Sequence, residues 1–162
     1  MMKKPPPTDF IELERCYDQL MSWCDVLQAI ADFLPCHIDE GLCQRISSGL
    51  LPLLQTTHEL EERLISSELR LILNAAEEAS ADERLRAGRL FDHGAARDVV
   101  ITLETLGEGR CRLSWESVGY QLRSFFCSTR SHVRFAREMM GLVRRAMGAA
   151  TLEDAADKTE AA

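Results

Sequence analysis

The chain has 162 residues, 46 % of them hydrophobic, and a net charge of −7. That is one domain's length with enough apolar material for a core, while the acidic balance excludes the clustered Lys and Arg of a nucleic-acid or anionic-membrane binder. Only nine Gly and five Pro stand against abundant Leu, Ala, Glu and Arg, which favours long helices over turn-rich β structure.

Residues 1–8, with Lys3-Lys4-Pro5-Pro6-Pro7, form a proline-rich lead without the apolar stretch of a signal peptide. Thr8 or Asp9 then caps a first helix over 9–34. Its stripe is Phe10, Leu13, Tyr17, Leu20, Cys24, Leu27, Ala31 and Leu34, and Pro35 ends it. Asp39 caps a second helix that runs to 74, with a kink expected at Pro52. Two apolar faces compete on it. One carries Leu51, Leu54, Ile65 and Leu69 around His58; the other carries Leu42, Ile46, Leu50, Leu53, Leu60 and Leu64. Periodicity leaves both open.

Ser80 or Asp82 starts a third helix, 82–106, with Leu90, His93, Ala96, Val100 and Leu103 inward, and Gly107-Glu108-Gly109-Arg110 breaks it. Ser114 caps a fourth, 114–147, with the stripe Val118, Leu122, Phe125, Thr129, His132, Phe135, Met139 and Val143. Gly148 stops it, and residues 148–162 read as a frayed or disordered tail. Four long helices with short connections pack most simply as an all-α, up-down-up-down antiparallel four-helix bundle over 9–147. No run of about 18 apolar residues is present, so a membrane span is not expected and a cytoplasmic location is. Six scattered cysteines without a CxxC pair read as reduced thiols.

Three of the four histidines fall on apolar stripes of different helices: His58, His93 and His132. His37 lies in a connector. Glu62 follows His58 by one turn, so the two side chains share a face. A histidine and a carboxylate in an apolar stripe need a partner, either a metal or each other in a buried hydrogen bond. Bundle cores build metal sites from such inward His and carboxylates. No GxSxG, P-loop or dinucleotide turn is present, so hydrolytic and nucleotide chemistry are not indicated and no enzyme activity is expected.

The segment Cys24 to Pro35, the run Leu50-Leu51-Pro52-Leu53-Leu54 with His58-x-x-x-Glu62, and Tyr120 to Phe126 followed by His132 together resemble the hemerythrin-like (HHE cation-binding) domains over residues 9–147. That family binds a bridged diiron centre through histidines and two carboxylates, and its members carry or sense oxygen or iron. The resemblance makes His58 the second-helix histidine, Glu62 a bridging carboxylate, His93 the first histidine of helix three and His132 that of helix four. It also shows departures. The first-helix histidine falls at Tyr17, the second of helix three at Arg97, and the second carboxylate at Ala136 and Arg137. An inward arginine sets a fixed positive charge against the metal. A mononuclear iron held by Glu62, His93 and His132 therefore fits better than a diiron pair, with Tyr17 or Asp98 as further ligands. A small ligand such as dioxygen would then bind the metal. In the alternative, the site is empty, Arg97 or Arg137 pairs with Glu62, and the bundle is a metal-free structural or protein-interaction module.

Overall fold

A computed structural model describes residues 7–160, with side chains over 8–150. The elements are α1 (Pro7–Phe33), α2 (Glu40–Glu61), a π-helical turn (Glu62–Ser66), α3 (Ser67–Ile72), α4 (Ala75–Gly107) and α5 (Trp115–Glu160). All are helical. The π-turn and α3 continue α2, so four long helices result. α1 packs against α2 and α5, α4 packs against the same two, and one continuous core lies between them. Among the described residues no helix is long and apolar enough to cross a membrane.

The caps explain most boundaries. Asp39 accepts the Leu42 amide at 2.9 Å and starts α2, and Ser114 accepts the Ser117 amide at 3.1 Å and starts α5. α4 begins well before the expected Ser80 or Asp82. Asn74 accepts the amides of Ala76 and Glu77, and the Glu77 carboxylate reaches back to the Asn74 amide, a full capping box in a stretch that reads as connector. α4 ends at Gly107, and Gly109 takes the left-handed conformation, φ 67°, that glycine adopts without strain. α1 starts at Pro7, where the absent amide has no intrahelical acceptor to miss. The rest of the proline-rich lead lies outside the described residues. α5 does not stop at Gly148 but continues to Glu160. Without a following proline, one glycine costs about 1 kcal/mol in a helix, and the neighbouring alanines favour continuation.

The expected stripe of α1 is buried from Phe10 to Ala31. α2 is helical through Pro52, and its repeat changes at Glu62–Ser66, where the chain takes the π-helical turn. A π-turn inserts one residue into the helical repeat. Leu64, Ile65 and Ser66 are consequently all buried in succession, and Leu69 faces the core after them. α4 turns differently from the sequence expectation. Its buried side is Leu85, Asp92, Ala96, Val99, Val100 and Leu103, while Leu90 and His93 face outward. Cys16, Cys24 and Cys43 are free thiols in the core.

A ladder of charge fixes the register of α1 on α5. Arg123, Arg130 and Arg137 rise along α5 at seven-residue steps while Asp32, Asp25 and Asp18 descend α1 at the same step. Their contacts are 4.0, 2.6 and 2.8 Å, with Ala31 O, Gln28 and Glu14 as second acceptors. The next rung, Arg144, lies over the Phe10 ring at 5.8 Å. Seven residues span two turns of a gently supercoiled pair, so the same faces keep meeting. Exposed pairs of this kind contribute about 0–1 kcal/mol each, so the ladder sets alignment more than stability.

Candidate functional site

Midway along the bundle, one polar cluster sits inside the apolar core. Glu61 is fully buried at the end of α2. The Tyr17 hydroxyl of α1 donates to its Oε1 at 2.9 Å. His132 Nε2 of α5 lies 3.1 and 3.0 Å from its two oxygens. Three helices thus meet on one carboxyl group. Burial opposes a charged His132, but the hydrogen bond and the charges of Glu61 and Asp92 outweigh it, and its pKa lies above the ordinary histidine value. Burial, and then the charge and hydrogen bond of Glu61, raise Tyr17 and keep its phenol protonated.

Beside this triad stand His58 of α2 and Asp92 of α4. The His58 and His132 rings meet edge to face with centroids 5.9 Å apart. His58, Asp92 and His132 each offer a ligand atom within 4.8 Å of the others. Ser128 donates to Asp92 Oδ1 at 2.8 Å. Asp92 Oδ2 and His58 Nε2 are buried and have no hydrogen-bond partner. Burial, only partly offset by Glu61, lowers His58 to about 4, so its imidazole is neutral. Burial raises Asp92 to about 6, although Ser128, the charge of His132 and the neighbouring Thr129 hydroxyl oppose the rise.

Gly88, one turn before Asp92, makes room for the His132 ring. A Cβ at position 88 would lie 2.2 Å from His132 Nδ1 and 3.1 Å from two ring carbons. The π-turn begins immediately after Glu61. Arg89, next to Gly88, closes that end with an ion pair to Glu62 at 2.9 Å and a contact to Ser66 Oγ at 3.4 Å.

The cluster differs from the expected one in a regular way. His58, His132 and Tyr17 come together. Glu62 does not join them; it is exposed and pairs with Arg89 and Arg70. Its neighbour Glu61 takes the interior place because Leu50, Leu54, Thr57 and Glu61 form the buried line of α2, which runs between the two faces that periodicity left open. His93 is exposed, and Asp92, on the line Leu85, Asp92, Ala96, Val99, is the inward residue of α4. Asp98 and Arg97 face solvent as well. Arg137 is only partly exposed and binds Glu14 at 3.0 Å and Asp18 at 2.8 Å, its guanidinium 5.5 Å from the Tyr17 ring centre; neither arginine reaches a site carboxylate. The signal for Glu61 and Asp92 lay in the sequence as the seven-residue pairs Leu54–Glu61 and Leu85–Asp92, masked by the histidines beside them.

No family model matches the chain, and neither a curated protein nor a solved structure does.

Gly88→Ala should destabilise the protein by about 1–3 kcal/mol, because the added methyl displaces the His132 ring from Glu61. Gly49→Ala, whose Cβ would meet nothing within 4 Å, should stabilise it by up to about 1 kcal/mol. Urea denaturation of both variants measures the contrast; equal effects would refute the close fit at position 88.

The two buried titratable groups His58 and Asp92 make stability depend on pH in opposite directions. His58, lowered to about 4, gives stability that is full above its unfolded value of 6.5 and is lost as pH falls through about 4. Asp92, raised to about 6, gives stability that is full below its unfolded value of 3.8 and is lost as pH rises through about 6. The two slopes oppose each other over nearly the same window. Relative to wild type in chelator-containing buffer, Asp92→Asn should lose stability on acidification from pH 6.5 to 4.5. His58→Gln should lose it on the opposite change, each by on the order of 2 kcal/mol. Urea melts at the two pH values would show parallel slopes if either side chain were solvated.

Proposed function

We propose that this chain is a hemerythrin-like four-helix bundle, running up-down-up-down, that binds one metal ion between His58, Asp92 and His132, with a role in oxygen or iron sensing or storage. The antiparallel course is supported by the descending register of partners: Asp32–Arg123 and Asp18–Arg137 for α1 and α5, Asp92–Ser128 and Thr102–Gln121 for α4 and α5. Tyr17–Glu61 with Asp9–Arg63, and Cys43 against Gly107 with Glu62–Arg89, carry the same order to the remaining pairs.

The observation that carries the metal reading is the pair of buried, unpartnered atoms, His58 Nε2 and Asp92 Oδ2, beside His132. Each such orphan costs about 1–3 kcal/mol unless something satisfies it. A divalent cation satisfies both at once. The donor chemistry fits: two imidazoles and one carboxylate form the ligand set of mononuclear non-haem iron. His132 Nε2 meets both oxygens of Glu61, whereas its Nδ1 is packed against the Gly88 backbone, where even a built Cβ would lie 2.2 Å away. Nε2 is therefore the nitrogen that His132 would give to a metal, with the Glu61 carboxylate beside it. In this arrangement His58, Asp92 and His132 hold the metal and Glu61 lies next to it as a further oxygen donor. Tyr17 in turn holds Glu61, and Ser128 holds Asp92. Iron bound there would supply a redox-active centre with open positions for a small ligand such as dioxygen.

One observation favours a metal-free interaction module instead: Tyr17, Glu61 and His132 already satisfy one another. Anaerobic thermal melts of untagged protein with and without ferrous iron separate the readings. A ligand at a hundred times its Kd adds about 2.7 kcal/mol, a rise of roughly 5–10 °C for a chain of this size. Wild type should show that rise and one iron per chain by mass-spectrometric metal analysis. His58→Gln and Asp92→Asn should abolish it, whereas Glu62→Gln and His93→Gln should keep it. A wild type indifferent to iron would leave the metal-free module standing.

A further inference from the structure

Between Ala87 and Ile101 the outer face of α4, directly opposite its buried side, is apolar where a bundle helix is ordinarily polar, and the exposed Glu83 one turn earlier bounds it. Leu90 is 72 % exposed, Phe91 53 % and Ile101 55 %. At its centre is Gly94, around which a built Cβ meets nothing within 4 Å. Ala87, Gly94 and Ile101 recur at seven-residue steps, with Leu90 and Phe91 between the first two. This is the spacing of a helix seam that meets another helix. Small residues at its middle allow the two backbones to approach closely.

The charges on this face say what the other helix is. At about 100° per residue, Arg97 lies roughly 60° to one side of Gly94 and Asp98 roughly 40° to the other. A second copy of α4, related by a two-fold axis parallel to the helix, brings each Arg97 against the other copy's Asp98. The same operation sets Leu90 against Phe91, and Ala87, Gly94 and Ile101 against themselves. An antiparallel copy centred on Gly94 would set Leu90 beside Arg97 and Phe91 beside Asp98, apolar against charged. A lipid surface would have to take up Arg97 and Asp98 together, and the chain's net charge of −7 disfavours an anionic one.

We propose that α4 is a parallel, two-fold homodimer interface, with the Ala87–Gly94–Ile101 seam flanked by reciprocal Arg97–Asp98 ion pairs. This gives a role to two charged residues that lie outside the polar cluster, and it is independent of whether a metal binds. One helix face per copy is a small interface, so the dimer is expected at the weak end, with a Kd of roughly micromolar to tens of micromolar.

Sedimentation velocity of the full chain over roughly 1–200 µM, bracketing that Kd, tests it. Wild type should shift from monomer to dimer as concentration rises. Ile101→Glu should abolish the shift. Arg97→Asp should weaken dimerisation by about tenfold, by setting like charges together, and the exchange Arg97→Asp with Asp98→Arg should restore it. Circular dichroism should be the same for all, since these side chains lie outside the core. A wild type monomeric throughout, or a dimer indifferent to Ile101→Glu or to the charge exchange, overturns the proposal.

Discussion

The fold turns on one buried carboxyl group. Glu61 sits in the core where α1, α2 and α5 converge, and it is tolerated there because Tyr17 and His132 meet its oxygens. Neither partner lies on the helix that carries Glu61, so its burial is conditional on the tertiary arrangement. Removing one member of such a group leaves a buried charge or donor unpaired, which costs several times more than the contact itself contributes. The polar centre thus specifies how the helices meet, while the leucines around it supply the burial energy.

Two features of α2 and α4 accommodate that centre. The π-turn following Glu61 lets the helix bury Glu61 and then Leu64, Ile65 and Ser66 without a break. Gly88 gives up helix propensity to admit an imidazole ring. Both are local departures from regular, best-propensity helix, and both lie against the same cluster. Concentration of such departures at one place is expected where a site, rather than packing alone, has shaped the chain.

The sequence made the helices legible and left their rotations ambiguous. The α1 and α5 stripes could be read because long apolar side chains mark a single arc on each. On α2 two arcs overlapped, and the buried line ran between them; a helix covered by leucines over a wide arc does not disclose its own orientation. On α4 the stripe through His93 and the line through Asp92 compete, because an aspartate on an apolar line reads as solvated unless its partners on another helix are known. Those partners, Ser128 and the histidines, lie far away in the chain. The arginine ladder of α5 was fully visible as a seven-residue repeat, matched by Asp18, Asp25 and Asp32. Its meaning needed both helices to be considered together.

The proposed metal site depends on His132 Nε2, held beside Glu61, being shared with an ion that His58 and Asp92 also reach. Nitrogen-15 NMR of the histidine rings, recorded without metal and with one equivalent of zinc, addresses it directly. His132 Nε2 is expected to move to the position of a metal-bound nitrogen while Nδ1 does not, and His58 is expected to shift with it while His93 stays. A His132 ring unchanged by zinc, or one that takes the metal through Nδ1, would contradict the proposed site.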